Sequence, residues 1–145
     1  MDSFKGAFSV WLGGWLTGEP LGALLGGLLA LVGHTWSFWM KFSGGRGVAT
    51  GVGVLASLMP TVAGLVFCTW LVIVFLTRYV SLGSIVGAAL APLLAWYFGY
   101  PVSYQVFVAL MAFFVIFRHR ENMGRLLKGT ENKVGRISTE KGESK

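Results

Sequence analysis

Charged residues are scarce in this chain, and their scarcity excludes an ordinary soluble domain. They make up 12% of its 145 residues, whereas a soluble domain of this size carries about a quarter. No charge at all lies between Tyr79 and Phe117, and this run exceeds the roughly 20 residues that cross a hydrocarbon core. A very buried soluble helical core would need more polar surface than this. We therefore predict an integral membrane protein.

Cysteine is nearly absent, which excludes two kinds of framework. Cys68 is alone and lies within an apolar stretch, so the sequence offers neither a disulfide network nor a thiolate metal site. No Walker A pattern occurs, so nucleotide binding is not indicated. The sequence gives no reason to expect a metal or another cofactor.

Helix breakers divide the apolar sequence into three similar units, residues 6–33, 47–77 and 79–117. The breakers are Gly18-Glu19-Pro20, Pro60 and Gly99-Tyr100-Pro101. Proline ends or kinks a helix because it lacks an N–H and clashes with the preceding turn. We predict an all-α polytopic membrane protein with about six transmembrane helices in three hairpins. The halves of the first two units are short for full spans, so re-entrant or tilted helices stay open.

Basic residues all fall on one side of this six-span arrangement. By the positive-inside rule that side is the cytosol, so we expect the loops between hairpins and both ends of this chain to be cytosolic. Because the bases lie at span ends and in the tail, anionic headgroups or phosphorylated substrates fit better than nucleic acid. We expect residues 1–128 to form one transmembrane domain and residues 129–145 a polar, disordered cytosolic tail.

The loop before the second unit has the composition of a phosphate site. Gly44, Gly45 and Gly47 let the backbone turn with its N–H groups exposed, Arg46 adds a cation, and a helix begins directly afterwards. A flexible turn with a basic flank explains the same residues equally well. His34 and Ser37 lie earlier in the same loop, which we expect to run from Gly33, and they invite a nucleophile interpretation, although a lone histidine at a span end is more often structural or interfacial.

Two further junctions carry polar residues of the same kind. Ser81 and Ser84 begin the third unit and are suited either to capping a helix or to donating to a phosphate. After the third unit, Arg118, Asn122 and Arg125 share one face of a predicted amphipathic surface helix. Because these junctions lie on one side, they can converge on a substrate with phosphate heads and an acyl tail.

Two long motifs resemble those of the bacterial acyl-phosphate:glycerol-3-phosphate acyltransferases. The stretch from Gly33 to Thr50 resembles the second motif of that family, and the stretch from Phe117 to Gly129 resembles the third. The resemblance implies transfer of an acyl chain from acyl phosphate to the 1-hydroxyl of sn-glycerol 3-phosphate, giving lysophosphatidic acid and phosphate for phospholipid synthesis. It implies no cofactor, membrane lipids as surroundings, and a location in the bacterial inner (cell) membrane.

The chain departs from that family in two respects. The family's first span and first motif are not present here, so we expect an upstream segment to carry the missing motif, or else a catalytically impaired fragment. Arg46 stands where the family usually has lysine, and a guanidinium binds phosphate with a different geometry. A small membrane transporter or lipid-binding bundle is the alternative, but transporters usually keep ionisable groups within their spans.

The resemblance and the junctions together name the candidate site residues. The candidate catalytic residues are His119, His34 and Asn122, and the candidate phosphate-binding residues are Ser37, Gly44, Gly45, Arg46, Gly47, Ser81, Ser84, Arg118, Arg120 and Arg125. Because acyl phosphate is already activated, the enzyme's main task is to align a hydroxyl with a carbonyl. A histidine or a substrate phosphate can serve as the base, and we favour the phosphate.

Overall fold

The computed structural model describes residues 2–40 and 48–135, and the side chains of residues 34–40 lie outside this description. The described residues form seven α-helices and no strand, which confirms the all-α prediction. The helices are α1 (Asp2–Thr17), α2 (Pro20–Met40), α3 (Val48–Leu58), α4 (Pro60–Thr77), α5 (Val80–Tyr97), α6 (Val102–Arg118) and α7 (Arg120–Leu127).

The predicted breakers are where the helices end. Gly18 has φ 69° and separates α1 from α2, which begins at Pro20. Pro60 is the first residue of α4 and follows the extended Met59, at φ −143°. Gly99, at φ 68°, ends the turn after α5. Glycine accepts this left-handed backbone at low cost, and proline suits the first turn of a helix.

Among the residues that the structure describes, two helices, α4 and α5, are long and apolar enough to cross a membrane. A third span results if α6 and α7 are taken together, although a 55° bend separates them. The apolar part of α2, residues 20–33, and all of α3 are shorter. Six spans in three hairpins therefore stay a prediction, although the two helices of each predicted hairpin contact each other.

The outer surface of the helices is apolar, as the membrane prediction requires. Large side chains such as Phe75, Leu93 and Phe113 are 86%, 63% and 72% exposed. A water-soluble monomer rarely exposes contiguous apolar surface on this scale. These side chains are placed to contact lipid.

Glycines let the first three helices approach closely. A Cβ added at Gly53 of α3 would overlap the carbonyl oxygen of Ser3 in α1. A Cβ at Gly26 of α2 would likewise overlap the carbonyl oxygen of Ser9. Such small-residue contacts are how membrane helices commonly pack, because burial in lipid gives little drive for association. Deeper in the bundle, Val54, Met59 and Ala95 are fully buried.

We expect Gly53→Ala to destabilise the α1–α3 contact by about 1–3 kcal/mol, because the new methyl group overpacks the interface. Gly64→Ala is the matched control, since Gly64 lies inside α4 and nothing is within 4 Å of its added Cβ. Thermal unfolding of both variants in lipid nanodiscs measures the difference. Equal unfolding temperatures would contradict this packing.

Candidate active site

The candidate site lies where the ends of α5, α6 and α7 meet. His119 is the residue between α6 and α7, where the chain bends by 55°. Arg78 ends α4 in the left-handed conformation, with φ 61°, and its N–H donates to the Val74 carbonyl. This tight turn starts α5 at Val80, so that Ser81 lies near the start of α7.

A buried carboxylate joins three of the predicted site residues. The Ser81 hydroxyl donates to Glu131 Oε1 at 2.8 Å, and Asn122 Nδ2 donates to the same oxygen at 2.6 Å. Arg125 Nε donates to Glu131 Oε2 at 2.8 Å, in an ion pair. The Glu131 side chain is only 6% exposed. Charge-assisted bonds of this kind are about twice as strong as neutral ones, so the carboxylate fixes all three side chains.

Glu131 reaches this position because the chain reverses after α7. Gly129, at φ 68°, ends the helix, and the Thr130 N–H donates back to the Arg125 carbonyl at 2.9 Å. Further on, the Val134 N–H donates to the Arg78 carbonyl at 2.9 Å. The boundary of a tail at residue 129 stays a prediction, but the tail's described residues, 129–135, contact the helices.

Sequence reasoning missed Glu131, because it treated everything after Gly129 as polar tail. One local signal existed. A glycine that ends a helix turns the chain back along that helix, so an acid two residues later can face the helix's own asparagine and arginine.

The pKa of Glu131 lies below its ordinary value of 4.5. Burial alone would raise this pKa, but the hydrogen bonds from Ser81, Arg125 and Asn122 and the positive charge of Arg125 lower it further than burial raises it. Glu131 is therefore ionised throughout the neutral pH range.

His119 is 1% exposed and lies beside this cluster. Its Nδ1 is 2.8 Å from the Val115 carbonyl oxygen. Because a carbonyl only accepts, Nδ1 carries the proton, and in the neutral ring Nε2 is the nitrogen that can accept one. Asn122, one turn further along the chain, is 2% exposed. Two buried polar side chains thus lie within one turn of each other where α6 meets α7.

An apolar cavity of about 500 Å³ opens beside His119. Its walls come mainly from α3, α4, α5 and α6, with Ser3 of α1 at one side, and most of its lining is aliphatic, aromatic or glycine. Ser84 lines it as well, 5% exposed, with its hydroxyl donating to the Val80 carbonyl at 3.0 Å. The cavity therefore joins a polar end to a long apolar interior.

The remaining predicted residues are placed differently. Arg118 is the last residue of α6 and is half-buried. Arg120 is exposed, with its guanidinium 4.8 Å from the centre of the Phe117 ring, outside the cluster around Glu131. His34 and Ser37, expected in a loop, instead belong to α2, which continues to Met40. Their side chains lie outside the described residues, as do Gly44, Gly45, Arg46 and Gly47 entirely. The roles assigned to these residues stay predictions.

Residues 1–129 match the model of the glycerol-3-phosphate acyltransferase family. The chain belongs to that family. It is 48% identical over 138 residues to "Glycerol-3-phosphate acyltransferase 2" of Moorella thermoacetica, covering 95% of this chain and 71% of the relative. It is 44% identical to a glycerol-3-phosphate acyltransferase of Syntrophomonas wolfei, covering 92% of this chain and 68% of the relative. The family resemblance expected from the two motifs is thereby confirmed.

Two solved structures share the acyltransferase fold. They are crystal structures of PlsY (YgiH), an integral membrane glycerol 3-phosphate acyltransferase, in a lysophosphatidic acid form and a glycerol 3-phosphate form. Each superposes with a TM-score of 0.84 at 36% identity, covering 92% of this chain. The superposition covers 69% and 68% of those chains, respectively. A multi-pass membrane protein is thus the fold that both structure and sequence indicate.

We expect Glu131→Gln to lower thermal stability at neutral pH, because three donors lose a charged acceptor. The folded-state pKa is lowered, so the carboxylate stabilises the fold above about pH 4.5 and this stabilisation is lost as the pH falls through the folded pKa. The gap between the wild type and Glu131→Gln should therefore close in acid.

Unfolding temperatures of both proteins from neutral pH down to pH 3 measure this gap. Glu121→Gln is the matched control, since Glu121 is exposed at the first turn of α7. A gap that stays constant across the acid range would show that the charge of Glu131 is not what holds the cluster.

Proposed function

We propose that this chain transfers an acyl chain from an acyl phosphate to the 1-hydroxyl of sn-glycerol 3-phosphate, giving lysophosphatidic acid and phosphate for phospholipid synthesis. One observation carries the proposal: an apolar cavity ends at His119, beside the polar cluster around Glu131. A lipid substrate with a phosphate head needs both environments side by side. The names of the relatives and the two ligand forms of PlsY support the same substrates.

The reaction needs positioning more than activation. The glycerol 3-phosphate hydroxyl oxygen attacks the carbonyl carbon of the acyl phosphate, and a carbon–oxygen bond forms. The bond from that carbon to the phosphate oxygen then breaks, and phosphate leaves with the electron pair. Because the leaving group is already good, holding the two substrates in line supplies most of the acceleration.

The attacking hydroxyl must also lose its proton. His119 Nε2 is a candidate acceptor, and a phosphate oxygen of the substrate is another. His119 Nδ1 donates to the Val115 carbonyl, and a neutral carbonyl stabilises an imidazolium less than the aspartate of a Ser-His-Asp triad does. We therefore favour substrate phosphate as the base, with His119 positioning it.

Hydrogen-bond capacity narrows the choice of phosphate ligands. The single hydroxyl protons of Ser81 and Ser84 are already donated, to Glu131 and to the Val80 carbonyl. A phosphate dianion offers only acceptors, so these serines suit positioning better than phosphate binding. Within the described part of the chain Arg125 binds Glu131 through Nε, and its 40% exposed side chain leaves its Nη groups for a phosphate. Asn122 keeps its second Nδ2 proton.

We propose that the complete phosphate site also includes Arg118, Arg46 and the glycine turn at Gly44, Gly45 and Gly47. We further propose that the loops face the cytosol of a bacterial inner membrane, as the distribution of basic residues supports. The family's first motif would be contributed by a segment not included in this sequence.

The proposal is tested by acceptor-dependent phosphate release from hexadecanoyl phosphate in lipid nanodiscs. One arm uses this chain alone, and a second uses this chain preceded by the corresponding upstream segment of the Moorella thermoacetica relative. Release that requires glycerol 3-phosphate, with lysophosphatidic acid as product, is the expected result in at least the second arm. Absence of release from both arms would instead favour a lipid-binding or transport function.

We expect His119→Asn to retain more than about 1% of kcat. The asparagine can still donate to the Val115 carbonyl but cannot act as a base, and a general base contributes about 10²–10⁴-fold. Steady-state rates over a pH range, beside His119→Ala, measure the difference. A loss above about 100-fold in both variants, with the acid limb of the pH profile removed, would assign the base to His119 and overturn the substrate-assisted account.

A further inference from the structure

The apolar cavity has a closed lower end. Along α5 it extends from Val80 to Ala91, and along α6 from His119 to Val108. Both pairs are eleven residues apart, which corresponds to about 16 Å at about 1.5 Å per residue. The two helices run in opposite directions and give the same depth. Val80 and His119 therefore mark the polar end at one height in the bundle, and Ala91 and Val108 mark the lower end at another.

The packed core closes this lower end. One helical turn beyond Ala91 on α5 lies Ala95, which is fully buried, and one turn before Val66 on α4 lies Val62, also fully buried. Neither lines the cavity. Met59, at the start of α4, is fully buried in the same cluster. A chain that enters from the polar end therefore meets solid packing below Val66, Ala91 and Val108.

Small residues on α5 create the space above this floor. The positions that face the cavity recur at helical spacing and are Gly83, Ser84, Gly87, Ala88 and Ala91. A Cβ at Gly87 would lie 3.1 Å from a Val66 methyl carbon, so even one added carbon would tighten the passage between α4 and α5. The width of the cavity thus depends on side-chain size along one helix.

The occupant that fits is an unbranched alkyl chain. The interior offers no charged side chain among the described lining residues, and His119 and Ser84 lie at its polar end. A carbonyl that reacts at that end places its hydrocarbon chain against the apolar walls. The cavity is also continuous with the candidate active site, so the chain belongs to the substrate being processed.

We propose that Ala91, together with Val66 and Val108, forms the floor that determines which acyl-chain lengths this protein accepts. The inference rests on the proposed function and adds the substrate preference to it. An extended chain advances about 1.25 Å per carbon, as a zigzag of C–C bonds of about 1.5 Å requires. The depth of the cavity therefore matches about 13 extended carbons, and longer chains must bend away from the floor.

The test compares kcat/KM for hexadecanoyl phosphate and decanoyl phosphate. It uses whichever arm shows acyl transfer, this chain alone or this chain preceded by the upstream segment. Ala91→Leu raises the floor, so the ratio of the long to the short donor should fall by about tenfold, within the range that a few methylene groups give in apolar pockets. Ala89→Leu is the matched control, because Ala89 is exposed on the same helix and does not line the cavity. Its ratio should equal that of the wild type.

Val108→Ala tests the same floor in the opposite direction and should raise the ratio. This variant still measures the effect of the floor if Ala91→Leu does not fold. Chain-length ratios that stay within twofold of the wild type in both Ala91→Leu and Val108→Ala would overturn the floor, even with full activity.

Failure of the proposed function gives a different result. If the wild type turns over no donor of any length, the binding affinities for hexadecanoyl and decanoyl lysophosphatidate are measured instead. Their ratio then takes the place of the kcat/KM ratio. A shifted affinity ratio in Ala91→Leu, absent in Ala89→Leu, would support the floor without acyl transfer. An unshifted affinity ratio would overturn the floor as well.

Discussion

The Glu131 carboxylate is the contact on which the arrangement of the candidate site depends. It accepts hydrogen bonds from α5 through Ser81 and from α7 through Asn122 and Arg125. An anion buried beside the membrane-spanning helices would be costly without such partners, because removing a charge from water costs several kcal/mol. With three donors, the same anion fixes three side chains that have no other reason to converge.

This contact also separates two environments that the reaction requires. On one side of it lie polar groups with N–H donors to spare, chiefly the Arg125 guanidinium. On the other side lies a cavity lined mainly by small and apolar residues. His119 is at the boundary, held by the Val115 carbonyl and facing the cavity. A phosphorylated head and a hydrocarbon tail can each be placed where its own chemistry is satisfied.

Local features of the sequence predict the helices well and the site only partly. Pro20, Pro60 and Pro101 mark helix ends because the restriction that proline imposes acts on its immediate neighbours. The charge pattern is also a property of the sequence alone. It identifies a membrane protein because it depends on composition and not on tertiary contacts. These features do not fix the number of spans, since the short α3 and the bend at His119 depend on packing.

The link between Ser81 and Glu131 joins residues fifty positions apart, and no periodicity in the sequence encodes it. Its consequence, that serines expected to bind phosphate spend their protons elsewhere, follows only from the three-dimensional contacts. The cavity, too, cannot be predicted from the sequence. Gly87 and Ala91 appear in the sequence as ordinary small residues of a membrane helix, and only the positions of α4 and α6 show the space that they leave.

The central claim is that the polar cluster and the apolar cavity form one lipid site, and photolabelling tests it most directly. The probe is a dodecanoyl lysophosphatidate with a diazirine at the end of its chain, added to the protein in nanodiscs and mapped by mass spectrometry of the labelled peptides. The account predicts labelling near Val66, Ala91 and Val108, with competition by unlabelled lysophosphatidate. Labelling confined to outward-facing residues such as Leu93 and Phe113, without competition, would contradict it.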